Sequence, residues 1–398
     1  MNVTDSPGAA DTDALSTDVI SNPDELTPGW LTNVLRASAG LNTTVTALQV
    51  DPLGPGEGLV GSLYRVTPTY DRSDDAAPTS LIAKLPARVG PIRDLAARFR
   101  MYRREALFYR DLAPQVALPT PRLYHAGVAG DDGVTLLLED MAPARAGDLM
   151  AGTDLEQMDR LLTTVAEMHA AWWDSPDLES LKWMPRLNDA RAIEIAGDIS
   201  PGAWEKFVRS FGEHLPPRVR ELGDAQRKDR SVLDRLSAPP RTLVHADLRL
   251  NNLMFDPKNG DLAAVIDWQS TVAARGPLDV ARLFVNNLEP EDRWRAEREL
   301  LPEYHNRLLS RGVRGYSFEE CWRDYRLAVI NQFGQVVVLS SLLDIDDQLD
   351  EELGPRTGTR LVVALLELPL MELMRSRPVW RQAGGRVKRV LRRLVSSR

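Results

Sequence analysis

The 398-residue chain predicts an α+β fold of two lobes, a small antiparallel-sheet N-lobe and a larger, mainly helical C-lobe. Three observations carry that expectation. β-like runs separated by turn residues crowd the first 140 residues. Helical apolar periodicity dominates from about residue 150. A polar cluster, "LVHADLRLNNLMFD" (243–256), interrupts the helical part and is followed by an apolar run ending in "VIDWQ".

The elements follow in order. Residues 1–23 have no Lys or Arg and no apolar core, so they read as a disordered acidic lead-in rather than a signal peptide. The N-lobe is expected over 24–141. It opens with a helix over 24–39, capped by Asn22 or Asp24. Three strand-like runs come next, "TTVTALQVDPL", "LVGSLYRVTPTY" and "SLIAKLP". One continuous amphipathic helix is expected over 93–113, and "RLYHAGV" and "GVTLLLEDM" supply two more strands. The C-lobe covers 142–375, with a helical insert over 142–242. The apolar stretch 327–343 contains Asn331, Gln332 and Gln335 and reads as a buried helix rather than a membrane span. The tail over 376–398 is basic. From Arg375 onward it has nine basic residues and no acid, with Val387, Val390, Leu391, Leu394 and Val395 on one helical stripe. An interfacial helix with weak membrane-surface contact and a helix docked on the acidic body are both open readings of it.

Composition narrows the function. At 43% hydrophobic and 27% charged, the chain is an ordinary enzyme-like polypeptide. A net charge of -8 argues against nucleic acid as a partner. The single cysteine, Cys321, excludes an internal disulfide and suits a cytoplasmic setting. Only six lysines stand among 49 basic residues, so Lys84 inside an apolar strand invites explanation.

The spacing His245-x-Asp247-x-x-x-x-Asn252, with Asp267 fifteen residues further on, supplies the parts that phosphoryl transfer requires. A carboxylate orients the attacking hydroxyl and accepts its proton. An amide oxygen and a second carboxylate hold Mg²⁺, a hard cation that prefers oxygen. An Asp/Asn-rich turn explains the same spacing alone, and three further features weigh against that. Lys84 lies on the third strand, where its ammonium can reach phosphates. Glu105 lies mid-helix, placed to pair with it. The glycine-bearing turn "GPGEGLVGS" precedes Lys84 and offers backbone N–H groups, with Gly58, Gly61 and Ser62 as its contacts.

In this order, the glycine turn, Lys84, Glu105, "LLLEDM", "HADLRLNN" and "VIDWQ" resemble the protein-kinase-like fold of the aminoglycoside phosphotransferase and choline kinase superfamily, over roughly residues 40–345. The double Asn and the Asp-aromatic-Gln are most similar to its ecdysteroid-kinase-like branch. The resemblance implies ATP and Mg²⁺ as cofactors, Asp247 as catalytic base, and Asn252 and Asp267 as metal ligands. It also implies a Lys84–Glu105 phosphate anchor and a hinge over 136–141, including Glu139 and Met141, that reads the adenine. His245 and Asp279 then brace the catalytic loop, and His169 is a packed helix histidine. Ala246 stands where the family more commonly has Gly, so a left-handed backbone is not expected there.

Only "QSTVAARGP" and its flanks separate Asp267 from Asp279, which leaves no room for a peptide platform. The acceptor is therefore expected to be a small-molecule hydroxyl, with no obligate protein partner. Residues 150–240 hold sixteen acidic against twelve basic residues, fewer acids than a pocket for a polycationic antibiotic would require. Trp172, Trp173, Trp183 and Trp204, with Met150, Met158, Met168 and Met184, favour a partly apolar alcohol of lipid, steroid or polyketide type. An antibiotic O-phosphotransferase and an inactive nucleotide-binding module are the alternatives.

Overall fold

The computed structural model describes residues 16, 18–53, 61–86, 91–131, 133–211, 214–229, 231–342 and 355–375. The predicted calls on Gly58 and on the 376–398 tail lie outside the described residues, as do residues 1–15 and 17 of the acidic N-terminus; its end, expected to be disordered, instead packs on the sheet, with Ile20 buried and its N–H donating to Thr135 Oγ1 at 2.6 Å.

The N-lobe is a five-stranded antiparallel sheet of order β1-β2-β3-β5-β4, with β1 Val45–Pro52, β2 Gly61–Tyr70, β3 Leu81–Pro86, β4 Leu123–Ala129 and β5 Gly133–Glu139. Helix α1 (Pro28–Ala39) covers one face. It begins later than its sequence suggests. Asn22 caps only a 3₁₀ turn, and Thr27 caps the helix by accepting the Trp30 N–H, with Pro28 pre-set at the first position. Leu31, Leu35, Leu81, Ala83 and Leu137 fill the small core between α1 and the sheet.

The expected continuous helix over 93–113 is broken. Helix α2 (Pro91–Arg98) stops, Arg100 takes φ 54°, and α3 (Met101–Leu107) runs into a π-helical turn at Phe108–Leu112. The physical reason is packing. The wider turn carries Phe108, Tyr109 and Leu112 together into the main core.

The C-lobe is built from α4 (Leu155–Ala171), α5 (Pro176–Ser180), α6 (Ala190–Phe211), α7 (Pro217–Lys228) and α8 (Ser231–Leu236), then α9 (Pro277–Asn287), α10 (Pro290–Ser310), α11 (Phe318–Leu342), α12 (Pro355–Glu367) and α13 (Met371–Arg375). Short strands interrupt it. β6 (Arg145–Ala146), β8 (Leu253–Phe255) and β9 (Leu262–Val265) form one small sheet, and β7 (Thr242–Val244) pairs with β10 (Val272–Ala274). The segment between Asp267 and Asp279 is thus consumed by a 3₁₀ turn and β10. No helix among the described residues is long and apolar enough to cross a membrane. The free Cys321 is buried.

Candidate active site

Strand pairing brings the distant polar residues together. In the β8–β9 ladder Leu253 lies opposite Val265, and the Ile266 N–H donates to the Asn252 carbonyl at 3.0 Å. Asn252 and Asp267 therefore leave adjacent strand ends on the same side of the sequence gap that separates them. Lys84 reaches this point from the other lobe. Its Nζ contacts Glu105 Oε2 at 2.7 Å and Asp267 Oδ1 at 2.8 Å. One ammonium is thus shared by two carboxylates, with Lys84 8% and Glu105 1% exposed. Burial, and then the Asp267 charge, push the Glu105 carboxyl up to about 7, against the pull of Lys84. Burial lowers the Lys84 ammonium, but Asp267 and Glu105 outweigh it and hold it above the usual lysine range.

The catalytic-loop candidates are wired by backbone as well as side chain. The Asn252 amide N–H₂ donates to the Asp247 carbonyl at 2.9 Å and to Asp247 Oδ2 at 3.3 Å, which leaves the Asn252 amide oxygen for a ligand. His245 is fully buried. Its Nδ1 accepts the Asp247 N–H at 3.2 Å, and its Nε2 lies 3.0 Å from the Ile266 carbonyl. Both ring nitrogens are therefore occupied in linking the loop to the strand that carries Asp267.

Ala246 departs from its expected conformation. It takes φ 67°, the left-handed region, although it is not glycine. The compensation is visible. Asp279 accepts the Ala246 N–H at 2.7 Å and the His245 N–H at 2.9 Å, with no side-chain exposure of its own. Two charge-assisted hydrogen bonds at roughly 1.5–3 kcal/mol each outweigh a left-handed alanine at about 1–2 kcal/mol. Ala246→Val is expected to destabilise by about 1–3 kcal/mol, and Ala246→Gly to be neutral or slightly stabilising; thermal denaturation of the two variants checks this.

Apart from His169, expected as a packed helix histidine and buried as such, the further residues that brace the site escaped sequence reasoning. His169 on α4 does more than pack, since its Nε2 lies 3.3 Å from Asp279 Oδ2 and its Nδ1 2.8 Å from the Tyr304 hydroxyl. Asn287 holds the loop's far end, its Oδ1 accepting the Leu250 N–H at 2.9 Å. Trp268 stacks on Phe108 of the π turn at 3.9 Å and 8°, so the residue after Asp267 is clamped by the turn that continues the helix carrying Glu105. Arg249 pairs with Asp247, Nε to Oδ1 at 3.0 Å and Nη2 to Oδ2 at 3.0 Å. Burial raises the Asp247 carboxyl, but Arg249, then Arg282 and His245, hold it below the usual carboxylate range. Arg249 carried a signal, an arginine two residues from a carboxylate, that spacing alone does not interpret.

The remaining candidates divide. Gly61 fits a close approach, because a Cβ there would lie 2.9 Å from the Leu85 carbonyl and 3.5 Å from Lys84 Cε. The Ser62 hydroxyl is buried without a hydrogen-bond partner, an orphan donor suited to a phosphate oxygen. In the hinge stretch, Glu139 is already committed. Its N–H donates to the Arg122 carbonyl at 2.9 Å and its carboxylate accepts the Arg122 N–H at 3.0 Å. The Met141 carbonyl accepts from Ala144 N–H at 2.9 Å. Asp140, between them, accepts from Arg65 at 2.7 Å and from Ser80 at 2.8 Å. A cavity of about 240 Å³ is lined by Arg145, Asp148, Leu250 and Phe255 among others.

The donor set suits a hard cation. Among the described residues no three His, Cys, Asp or Glu side chains converge. A metal held by Asp267 and Asn252 would complete its shell from phosphate and water, the usual arrangement for Mg²⁺.

A curated relative, an uncharacterised kinase-like protein of Caenorhabditis elegans, is 22% identical over 306 residues, covering 70% of this chain and 79% of that one. Among solved structures, the chain is similar to the GDP complex of aminoglycoside 2'-phosphotransferase-IIIa (TM-score 0.49, 14% identity, 85% of this chain and 99% of that one). It is also similar to an ethanolamine kinase of Plasmodium vivax (TM-score 0.47, 14% identity, 90% and 92%). The family model for ecdysteroid kinase-like proteins matches residues 55–312, more than half of the sequence. The chain belongs to the ecdysteroid kinase-like family, a family of kinase-like small-molecule phosphotransferases.

Proposed function

We propose that the protein transfers the γ-phosphate of Mg²⁺-bound ATP to a hydroxyl of a small molecule, in the cytoplasm. The observation that supports this best is the Lys84 ammonium bridging Glu105 and Asp267, at 2.7 and 2.8 Å, beside the Asp247–Asn252 pair. In this reading Lys84, pinned by Glu105, and the orphan Ser62 hydroxyl bind phosphate oxygens. Asp267 and Asn252 hold the metal, which when bound neutralises charge developing on the phosphates. Asp247 orients the acceptor hydroxyl and takes its proton. His245 and Asp279 keep the loop in the strained conformation that presents Asp247.

Most of the residues behind the lean toward a partly apolar acceptor are spent on the core, and Met150 is the exposed one among them. Trp172, Trp204, Met158, Met168 and Met184 lie in the main hydrophobic core, and Trp173 and Trp183 pack against it. Their size is largely spent on folding.

A non-hydrolysable ATP analogue is expected to raise the melting temperature with Mg²⁺ and to do so far less without it. ADP release from ATP should then require an alcohol. An analogue that binds identically with and without Mg²⁺, together with no ADP release across an alcohol panel, would leave the inactive-module reading in its place.

A further inference from the structure

We propose that Gln269 is a positioning residue that selects the metal. By holding one oxygen of Asp267 it makes that carboxylate a single-oxygen ligand, which suits Mg²⁺ and disfavours Ca²⁺. The inference rests on the phosphotransferase reading and adds to it the residue that sets which cation the site accepts.

The two oxygens of Asp267 have different partners. Oδ1 meets the Lys84 ammonium at 2.8 Å, and Oδ2 accepts from Gln269 Nε2 at 3.0 Å. A carboxylate only accepts, so the amide edge that faces it is the N–H₂ edge. A nucleotide acts on the two partners unequally. Phosphate oxygens draw on the Lys84 ammonium, and that frees Oδ1 for a metal. Gln269 is a neutral amide, only 7% exposed, and stays where it is. The turn that carries it is fixed on both sides. Trp268 stacks on Phe108, lies edge-on to His245 at 4.5 Å and donates to the Val265 carbonyl at 3.0 Å. The Thr271 hydroxyl donates to the Val244 carbonyl at 2.9 Å. Asp267 itself takes φ 65° and ψ 58°, a left-handed conformation that is costly without glycine. The bond from Gln269 thus orients a carboxylate whose backbone is already held under strain.

Asn252 is arranged in the same way. Its N–H₂ is committed to Asp247, so it too has one oxygen to give. Two protein ligands of one oxygen each, with phosphate and water, match the octahedral shell that Mg²⁺ demands. Ca²⁺ takes roughly six to eight oxygens and gains from a carboxylate that chelates through both. With Oδ2 held, Asp267 has no second oxygen to offer. The other half of the amide fits the same ion. Gln269 Oε1 is buried without a hydrogen-bond partner, and Mg²⁺ keeps several waters whose protons would satisfy it.

The test titrates a non-hydrolysable ATP analogue calorimetrically into the full chain with excess Mg²⁺, with excess Ca²⁺ and with EDTA. Wild type should bind at least about tenfold more tightly with Mg²⁺ than with Ca²⁺, the scale on which partners of metal ligands act. Gln269→Met, of similar shape but without a donor, should bring the two metals within about twofold of each other. Its affinity in EDTA should stay within about twofold of wild type, which a general loss of structure would not allow. Gln269→Glu, which adds a second carboxylate, should raise affinity with Ca²⁺ more than with Mg²⁺. A Mg²⁺ preference that survives both substitutions overturns the proposal and leaves the phosphotransferase reading standing. So does a wild type that binds equally with either metal but more weakly in EDTA. An analogue that binds wild type equally in all three buffers strikes the phosphotransferase reading and the proposal together.

Discussion

Asp247→Asn is expected to lower kcat by about 10²–10⁴-fold, the span attributed to a positioned general base, while Mg²⁺–nucleotide binding stays within about twofold of wild type. The reason lies in what the carboxylate does and does not hold. Its backbone carries the structural contacts, since the Asp247 N–H donates to His245 Nδ1 and its carbonyl accepts from Asn252. The substitution keeps both and removes only the charged oxygens that Arg249 grips. Because Arg249, Arg282 and His245 outweigh burial and depress the carboxyl, Asp247 stays ionised at neutral pH, and its own protonation should set no acid limb there. Steady-state kinetics with nucleotide titration separates the effects. A kcat near wild type in this variant would remove Asp247 from the role of base.

Lys84→Met should have the largest effect on stability. The change leaves Glu105 and Asp267 facing each other without the cation that joined them, and breaking a buried ion pair from one side costs roughly 3–5 kcal/mol. The loss should depend on pH. Glu105 is raised above its unfolded value of 4.5 to about 7, so its contribution is fully present below 4.5 and is lost as pH rises through 7. Without Lys84 that carboxyl rises further, and Lys84→Met should be more destabilising at pH 8 than at pH 5. Denaturant melts at both values read this directly. Adding Glu105→Gln should restore much of the stability but none of the nucleotide affinity. A pH-independent loss would show that the three groups are not coupled.

Much of the site was legible because hydrogen-bonding residues in apolar surroundings stand out along a chain. Lys84 was conspicuous amid arginines, and the Asp247–Asn252–Asp267 spacing suited a metal-bound phosphate. Glu105 was placed by helical position. The break in its helix was not legible, because Arg100 and the π turn answer to the core that receives Phe108 and Trp268 rather than to local propensity.

Taken by itself, the sequence determined the α+β class, the order of the strands along the chain and the identity of the polar cluster, because periodicity and side-chain chemistry are local properties. Only the tertiary structure decided that Ala246 is left-handed, that Trp172 and Trp204 are core, and that Arg282 joins Arg249 in the electrostatic surroundings of Asp247. Each of those depends on a partner far away in sequence: two N–H groups meeting the buried Asp279, aromatic rings finding a common interior, and a helix whose Arg282 comes 35 residues after Asp247. Long-range free energy, not local preference, sets such positions.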